Sequence, residues 1–201
     1  MALGRLTRSA EALAAYEQVV AHFGEATEPV LREQVAKSWL NKGATLGRLT
    51  RSEEAITAYE QVVAHFGEAT EPVLREQVAK ALFNKGVALG RLTRSAEALA
   101  AYEQVVTRFG EATEPVLREQ VVKALLNKGV ALGRLTRSVE AIAAYEEVIA
   151  RFGEATESVL REGVAKALVN KGVTLGRLAR HEEAIAAYEQ VVARFGMATE
   201  L

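Results

Sequence analysis

The chain has 201 residues, a quarter of them charged and about half apolar, with a formal net charge of −1 at pH 7. This balance gives no global electrostatic drive toward nucleic acid or an anionic membrane. With no cysteine and no aspartate in the sequence, disulfides, thiolate metal sites, thiol nucleophiles, EF-hand loops and aspartate-bearing triads are excluded.

The five tyrosines, Tyr16, Tyr59, Tyr102, Tyr145 and Tyr188, lie 43 residues apart. Pro29, Pro72 and Pro115 share one phase of that period, and Asn41, Asn84, Asn127 and Asn170 share another. A fixed period of this size marks stacked supersecondary units stabilised by their neighbours. In chain order, residues 1 to 7 match the last turn of a first helix, and a second helix without its partner is expected from about Ser9 to Phe23. Four complete helix pairs follow, and Met197 to Leu201 stand where another first helix would begin. The expected organisation is a single array over 1–201, with a partial unit at 1–26 and pairs at 27–69, 70–112, 113–155 and 156–198.

Within one unit, Leu74, Val78, Leu82, Leu89 and Leu92, with Gly86 in the stripe, place a long first helix over Pro72 to Leu92. Ala98, Leu99, Tyr102, Val105, Val106 and Phe109 then form one side of a shorter amphipathic helix from Ser95 to Phe109. Thr93-Arg94 is the short link of an antiparallel pair. Ser52, Ser95 and Ser138 are expected to cap the second helices, with glutamates behind them complementing the helix dipole. Gly24, Gly67, Gly110, Gly153 and Gly196 are expected to end those helices in a left-handed conformation. Proline restarts each unit at a position whose amide has no helical partner. The fold class is therefore all-α, an α-solenoid of about nine helices.

Trp39, Gly43, Leu46, Ala55 and Tyr59, repeated in Leu82, Gly86, Leu89, Ala98 and Tyr102, resemble the tetratricopeptide repeat signature. The glycine, lacking a side chain, is expected to let the first helix approach the second, where Ala55 or Ala98 is also small. The resemblance covers essentially the whole chain and implies antiparallel pairs wound into a right-handed superhelix. It departs from the family in its period, 43 residues against about 34, the extra residues lengthening the start of the first helix. It departs also at Lys42, Lys85, Lys128 and Lys171, where the family usually has leucine, and at Gly67 and its equivalents, where proline is frequent.

Residues 47–89 and 90–132 differ at about seven of 43 positions, so the places that vary carry information. One such place holds Leu40, Phe83, Leu126 and Val169. The resemblance implies that it faces a concave groove and discriminates ligand side chains; repacking among similar apolar residues accounts for it equally well. Beside it stand the four asparagines, mediocre helix formers whose amides both donate and accept. The resemblance implies a ladder that holds an extended peptide backbone. Lys80 and Arg91 share the helix face of Asn84, as Lys37, Lys123, Lys166, Arg48, Arg134 and Arg177 do in the other units, so an acidic or carboxylate-bearing peptide is the expected ligand.

The expected function is a non-catalytic scaffold binding a protein or peptide, without cofactor or metal, since the three histidines are scattered. The alternative is a self-assembling module, a dimer or filament formed through uncapped ends or helix exchange, motivated by Leu13, Tyr16, Val20 and Phe23 on the first second-type helix. The opening residues lack the pattern of a signal peptide, and no run approaches the roughly 20 apolar residues that span a bilayer; a cytoplasmic setting is the expectation.

Overall fold

The computed structural model describes residues 2–196, with side chains from Thr7 onward. Among the described residues there are nine helices: α1 (Ala2–Phe23), α2 (Pro29–Arg48), α3 (Ser52–Phe66), α4 (Pro72–Arg91), α5 (Ser95–Phe109), α6 (Pro115–Arg134), α7 (Ser138–Phe152), α8 (Ser158–Arg177) and α9 (His181–Phe195). They form two compact units divided between Arg94 and Ser95. In the first unit, α1 packs on α2, α2 on α3 and α3 on α4; in the second, α5 to α9 pack likewise in chain order. First helices also touch directly, α2 with α4 and α6 with α8. Each unit is thus a stretch of α-solenoid.

Three of the four 20-residue first helices open on proline, and α8 opens on Ser158. The residue before each, Glu28, Glu71, Glu114 or Glu157, is extended with ψ between 126° and 129°; a following proline imposes this on the first three, and Glu157 adopts the same geometry without one. Glu28 O still accepts from Arg32 N at 3.0 Å, so the first turn closes without a side-chain cap.

Helix ends depart from expectation. The second helices begin at Ser52, Ser95 and Ser138 themselves, and the preceding Arg51 and Arg137 make no cap bond. Arg51 instead reaches forward over the first turn and donates through Nε and a terminal nitrogen to both oxygens of Glu54. That guanidinium holds the Glu54 carboxyl below its ordinary range. The glycines after the second helices are not left-handed: Gly67 and Gly153 have φ −57°. They are glycine for lack of room, because a Cβ at Gly24 would lie 2.7 Å from Val20 O and one at Gly153 2.5 Å from Ile149 O.

The left-handed residue sits one link earlier, at the end of each first helix. Thr50, Thr93, Thr136 and Ala179 have φ of 59° to 60°. Arg51 N donates to Leu46 O at 3.0 Å and Thr50 N to Gly47 O at 3.4 Å, the paired bonds that close a helix around a left-handed residue. Each threonine also donates its hydroxyl to the preceding carbonyl, as Thr50 does to Leu49 O at 2.6 Å. Thr7 occupies the same phase but lies inside α1, and Thr7-Arg8 does not turn.

The expected close approach at glycine is present, and its partner is an aromatic ring. A Cβ at Gly43 would lie 2.5 Å from Tyr59 Cε1, and Gly129 and Gly172 stand in the same way against Tyr145 and Tyr188. Tyr59 is buried there, which pushes its hydroxyl up to about 12. Around these contacts Leu46, Val62, Leu82, Leu125, Val148 and Leu168 are fully buried, each contributing on the order of 1.5–3 kcal/mol by leaving water.

Charged joints recur between successive pairs. Lys42, Lys85, Lys128 and Lys171 reach Glu17, Glu60, Glu103 and Glu146 of the preceding second helix at 2.8, 2.7, 3.3 and 2.7 Å. Arg32 and Arg118 each lie over the phenylalanine ending the next second helix, 5.9 Å from the Phe66 centroid and 5.8 Å from that of Phe152, and pair with Glu71 and Glu157 beyond it.

Candidate functional site

The face carrying the asparagines belongs to the first helices. Asn41 is exposed, whereas Asn84, Asn127 and Asn170 are half-buried. Asn127 turns its amide inward along its own helix, Nδ2 donating to Lys123 O at 3.1 Å. At the variable position Leu40 is buried with 9% of its surface exposed, Phe83 and Leu126 are half-buried, and Val169 is exposed. Leu40 therefore serves the core, and within this set Val169 alone presents an open apolar surface.

The lysines are held by their own helices. Lys37, Lys80, Lys123 and Lys166 each pair with the glutamate one turn earlier, Glu33, Glu76, Glu119 and Glu162. The Lys166 ammonium holds the Glu162 carboxyl below its ordinary range by hydrogen bond and charge. The basic rungs read from the sequence are therefore largely neutralised before any ligand arrives, and the arginines carry the residual positive character. Arg48 donates to Thr45 Oγ1 at 3.0 Å, and Arg91 crosses to the neighbouring first helix to donate to Gly47 O at 3.0 Å. Arg134 and Arg177 are exposed.

In the second unit these residues converge. Gly129, Val130, Gly133 and Arg134 of α6, Tyr145 of α7, and Asn170, Val173, Thr174 and Arg177 of α8 line a cleft of about 460 Å³. The absence of side chains at Gly129 and Gly133 opens its floor, since a Cβ at Gly133 would meet nothing within 4 Å. Val130 and Val173 present apolar surface to solvent. Thr174 Oγ1 donates to the Asn170 main-chain carbonyl at 2.8 Å. Burial raises the Tyr145 hydroxyl, and the Arg177 charge works against that rise, so this guanidinium acts electrostatically at the cleft floor. Of the residues chosen from sequence, the cleft gathers Asn170, Arg134 and Arg177; it does not gather Asn127, Lys123, Lys166, Leu126 or Val169. Val130, Val173 and the glycine floor were missed. The signal was present: Val130 follows Asn127 by three residues and precedes Arg134 by four, one face of one helix.

His22 and His65 bond the carbonyls of Gln18 and Gln61 in their own helices at 2.8 and 2.9 Å. Among the described residues no group of three or more histidines and carboxylates is placed to hold a metal ion, and no helix is long and apolar enough to cross a membrane.

No curated protein matches the chain. In fold it is similar to a crystal structure of nearly identical TPR-like repeats from a kinesin light chain candidate of Podosopora anserina, with 19% identity, 97% of this chain and 90% of that one covered, and a TM-score of 0.69. It is similar also to MamA, residues 41 to the end, from Desulfovibrio magneticus RS-1, at 14% identity, 94% and 98% coverage and a TM-score of 0.61. Tetratricopeptide repeat models match residues 40–113 and 83–156, and another matches 120–195. With helix pairs, glycine-on-tyrosine contacts and these matches in agreement, the chain belongs to the tetratricopeptide repeat family.

Proposed function

We propose that this chain, whose family's repeats are generally protein–protein interaction modules and typically not catalysts, binds an extended peptide segment of a partner protein on its first-helix face, with the cleft between α6 and α8 as a principal subsite. The observation that carries this reading is the convergence there of an asparagine, two exposed valines, a glycine floor and two arginines. A peptide backbone laid along the cleft has an amide partner in Asn170 and apolar walls in Val130 and Val173. Arg134 and Arg177 favour a carboxylate on the ligand, and the glutamate-paired lysines add little to that preference.

Screening an acidic peptide library against the full chain tests this. Asn170→Ala is expected to weaken the selected peptides about 2- to 10-fold, the worth of one net hydrogen bond. Arg134→Ala with Arg177→Ala is expected to weaken them further and to flatten the salt dependence, both with the melting temperature unchanged. Equal binding by all variants would overturn the assignment of the cleft.

A second reading, self-association, is favoured by α9. Ile185 is 56% and Val192 69% exposed, with Tyr188 open between them, whereas the equivalent Ile142 and Tyr145 are buried beneath α8.

A further inference from the structure

A second cavity lies on the opposite type of surface. In the first unit, Ala10, Leu13, Ala14 and Glu17 of α1, Trp39, Lys42 and Leu46 of α2, and Arg51, Glu54, Thr57, Ala58 and Gln61 on and before α3 line a half-open cavity of about 480 Å³. α1 and α3 are both second helices, and no direct contact between them is among the packed pairs, so the space between them stands over α2. The volume falls in the range of about 300–1,000 Å³ in which small organic ligands are held.

Three observations define what fits. The wall carries the one tryptophan of the chain. At the same phase stand Leu82, Leu125 and Leu168, all fully buried, whereas Trp39 is half-buried with Lys42 Nζ 5.2 Å from its ring centroid. Leucine therefore satisfies the packing demand at this position, and the indole presents aromatic surface beyond it. Next, Ala10, Ala14 and Ala58 leave space and Leu13 and Leu46 supply apolar wall, while Thr57 and Gln61 add neutral polar groups to the lining. Last, the charges at the rim are already matched, Lys42 with Glu17 at 2.8 Å and Arg51 with both oxygens of Glu54. A charged ligand would have to break one of these pairs. A neutral ligand would leave them intact.

We infer that this cavity is a binding site for a small, neutral, aromatic molecule that packs against the Trp39 indole between α1 and α3. The site is independent of the peptide cleft in the other unit and stands whether or not that cleft binds peptide.

The probe is N-phenyl-1-naphthylamine, a neutral aromatic amine whose fluorescence rises out of water and which accepts excitation energy from tryptophan. Titration into the full chain is expected to give a single saturable site per chain, with Trp39 emission quenched in step. Trp39→Leu, the residue the other repeats use, is expected to lower the affinity about tenfold or more through loss of the aromatic contact. Ala14→Phe fills the cavity from an exposed position of α1 and is expected to abolish binding while leaving helicity intact, which keeps the test decisive even if Trp39→Leu fails to fold. Asn170→Ala is expected to have no effect on the probe. Absence of saturable binding, emission of Trp39 unchanged at saturation, or undiminished affinity in Ala14→Phe would overturn the inference.

Discussion

Two glycines one turn apart on the same helix do opposite things depending on the atom each faces. A methyl group at Gly129 would run into the Tyr145 ring, whereas one at Gly133, a single turn away, would meet open space. Gly129→Ala is therefore expected to lose about 1–3 kcal/mol through overpacking, more than the gain in helix propensity returns. Gly133→Ala is expected to gain about 0.5–1 kcal/mol, since only propensity changes there. Urea melts of the two variants check this, and a shift of the same sign in both would refute the contact argument. The left-handed link offers a second test. Ala179 holds φ 59° without the hydroxyl bond that Thr50, Thr93 and Thr136 make, so Ala179→Gly is expected to raise the unfolding midpoint by an amount worth about 0.5–1 kcal/mol. A lowered midpoint would show that the strain is absent. Sequence reading found that a glycine was needed on the first helix but paired it with Ala55, because side-chain size suggests a small partner. The ring that fills the space comes from Tyr59, which its phase alone does not reveal.

First helices were legible at their starts and misread at their ends, and the second helices lack the serine caps expected of them. Proline fixes φ, so Pro29, Pro72 and Pro115 mark the first residue of α2, α4 and α6. The end of a first helix is written in threonine, a residue with little left-handed preference, and the expectation of a left-handed cap attached itself to the nearest glycine instead. The ion pairs that join helices were likewise invisible as pairs, since Lys85 and Glu60 stand 25 residues apart with a turn between them. These pairs and the first-turn clamps predict the response to acid. Arg51, Arg137 and Arg180 hold Glu54, Glu140 and Glu183 below the ordinary carboxylate value of 4.5, each mainly through a side-chain hydrogen bond. Glu71 and Glu157 are lowered first by their own backbone amides and then by Arg32 and Arg118. A depressed folded-state value contributes stability that is complete above 4.5 and is lost as pH falls through the lower folded values. Because these carboxylates are exposed, each effect is small and screened by salt. Melting temperature is expected to be flat above pH 5 and to decline below 4.5, more gently in high salt. A decline that begins near neutrality would point to some other group.

At the scale of the molecule the architecture was the most legible feature, because a period repeated four times averages out local ambiguity. The candidate cleft was less so. Lys80 and Lys123 lie on the predicted helix face, yet their charge is absorbed by Glu76 and Glu119, and the sequence lists both signs without saying which neighbours bind each other. The exposed side of α9 bears on assembly. Ile185, Tyr188 and Val192 are spaced by three and then four residues, the seam of a helix that packs lengthwise on another. Light scattering over a dilution series is expected to show mass rising with concentration, and Ile185→Lys with Val192→Lys is expected to return it to that of one chain. A parent mass that never rises would remove the self-association reading.

The joints between pairs have a genetic corollary. Each lysine finds its glutamate at a constant distance along the chain, within the span of a single period. Removing or duplicating any stretch of 43 residues therefore leaves every surviving joint with its proper mate, just as a zip shortened by whole teeth still closes. Unequal crossing-over between near-identical copies would thus yield longer and shorter arrays that fold by the same rules, and the number of repeats becomes a quantity that selection can adjust without redesigning a single contact.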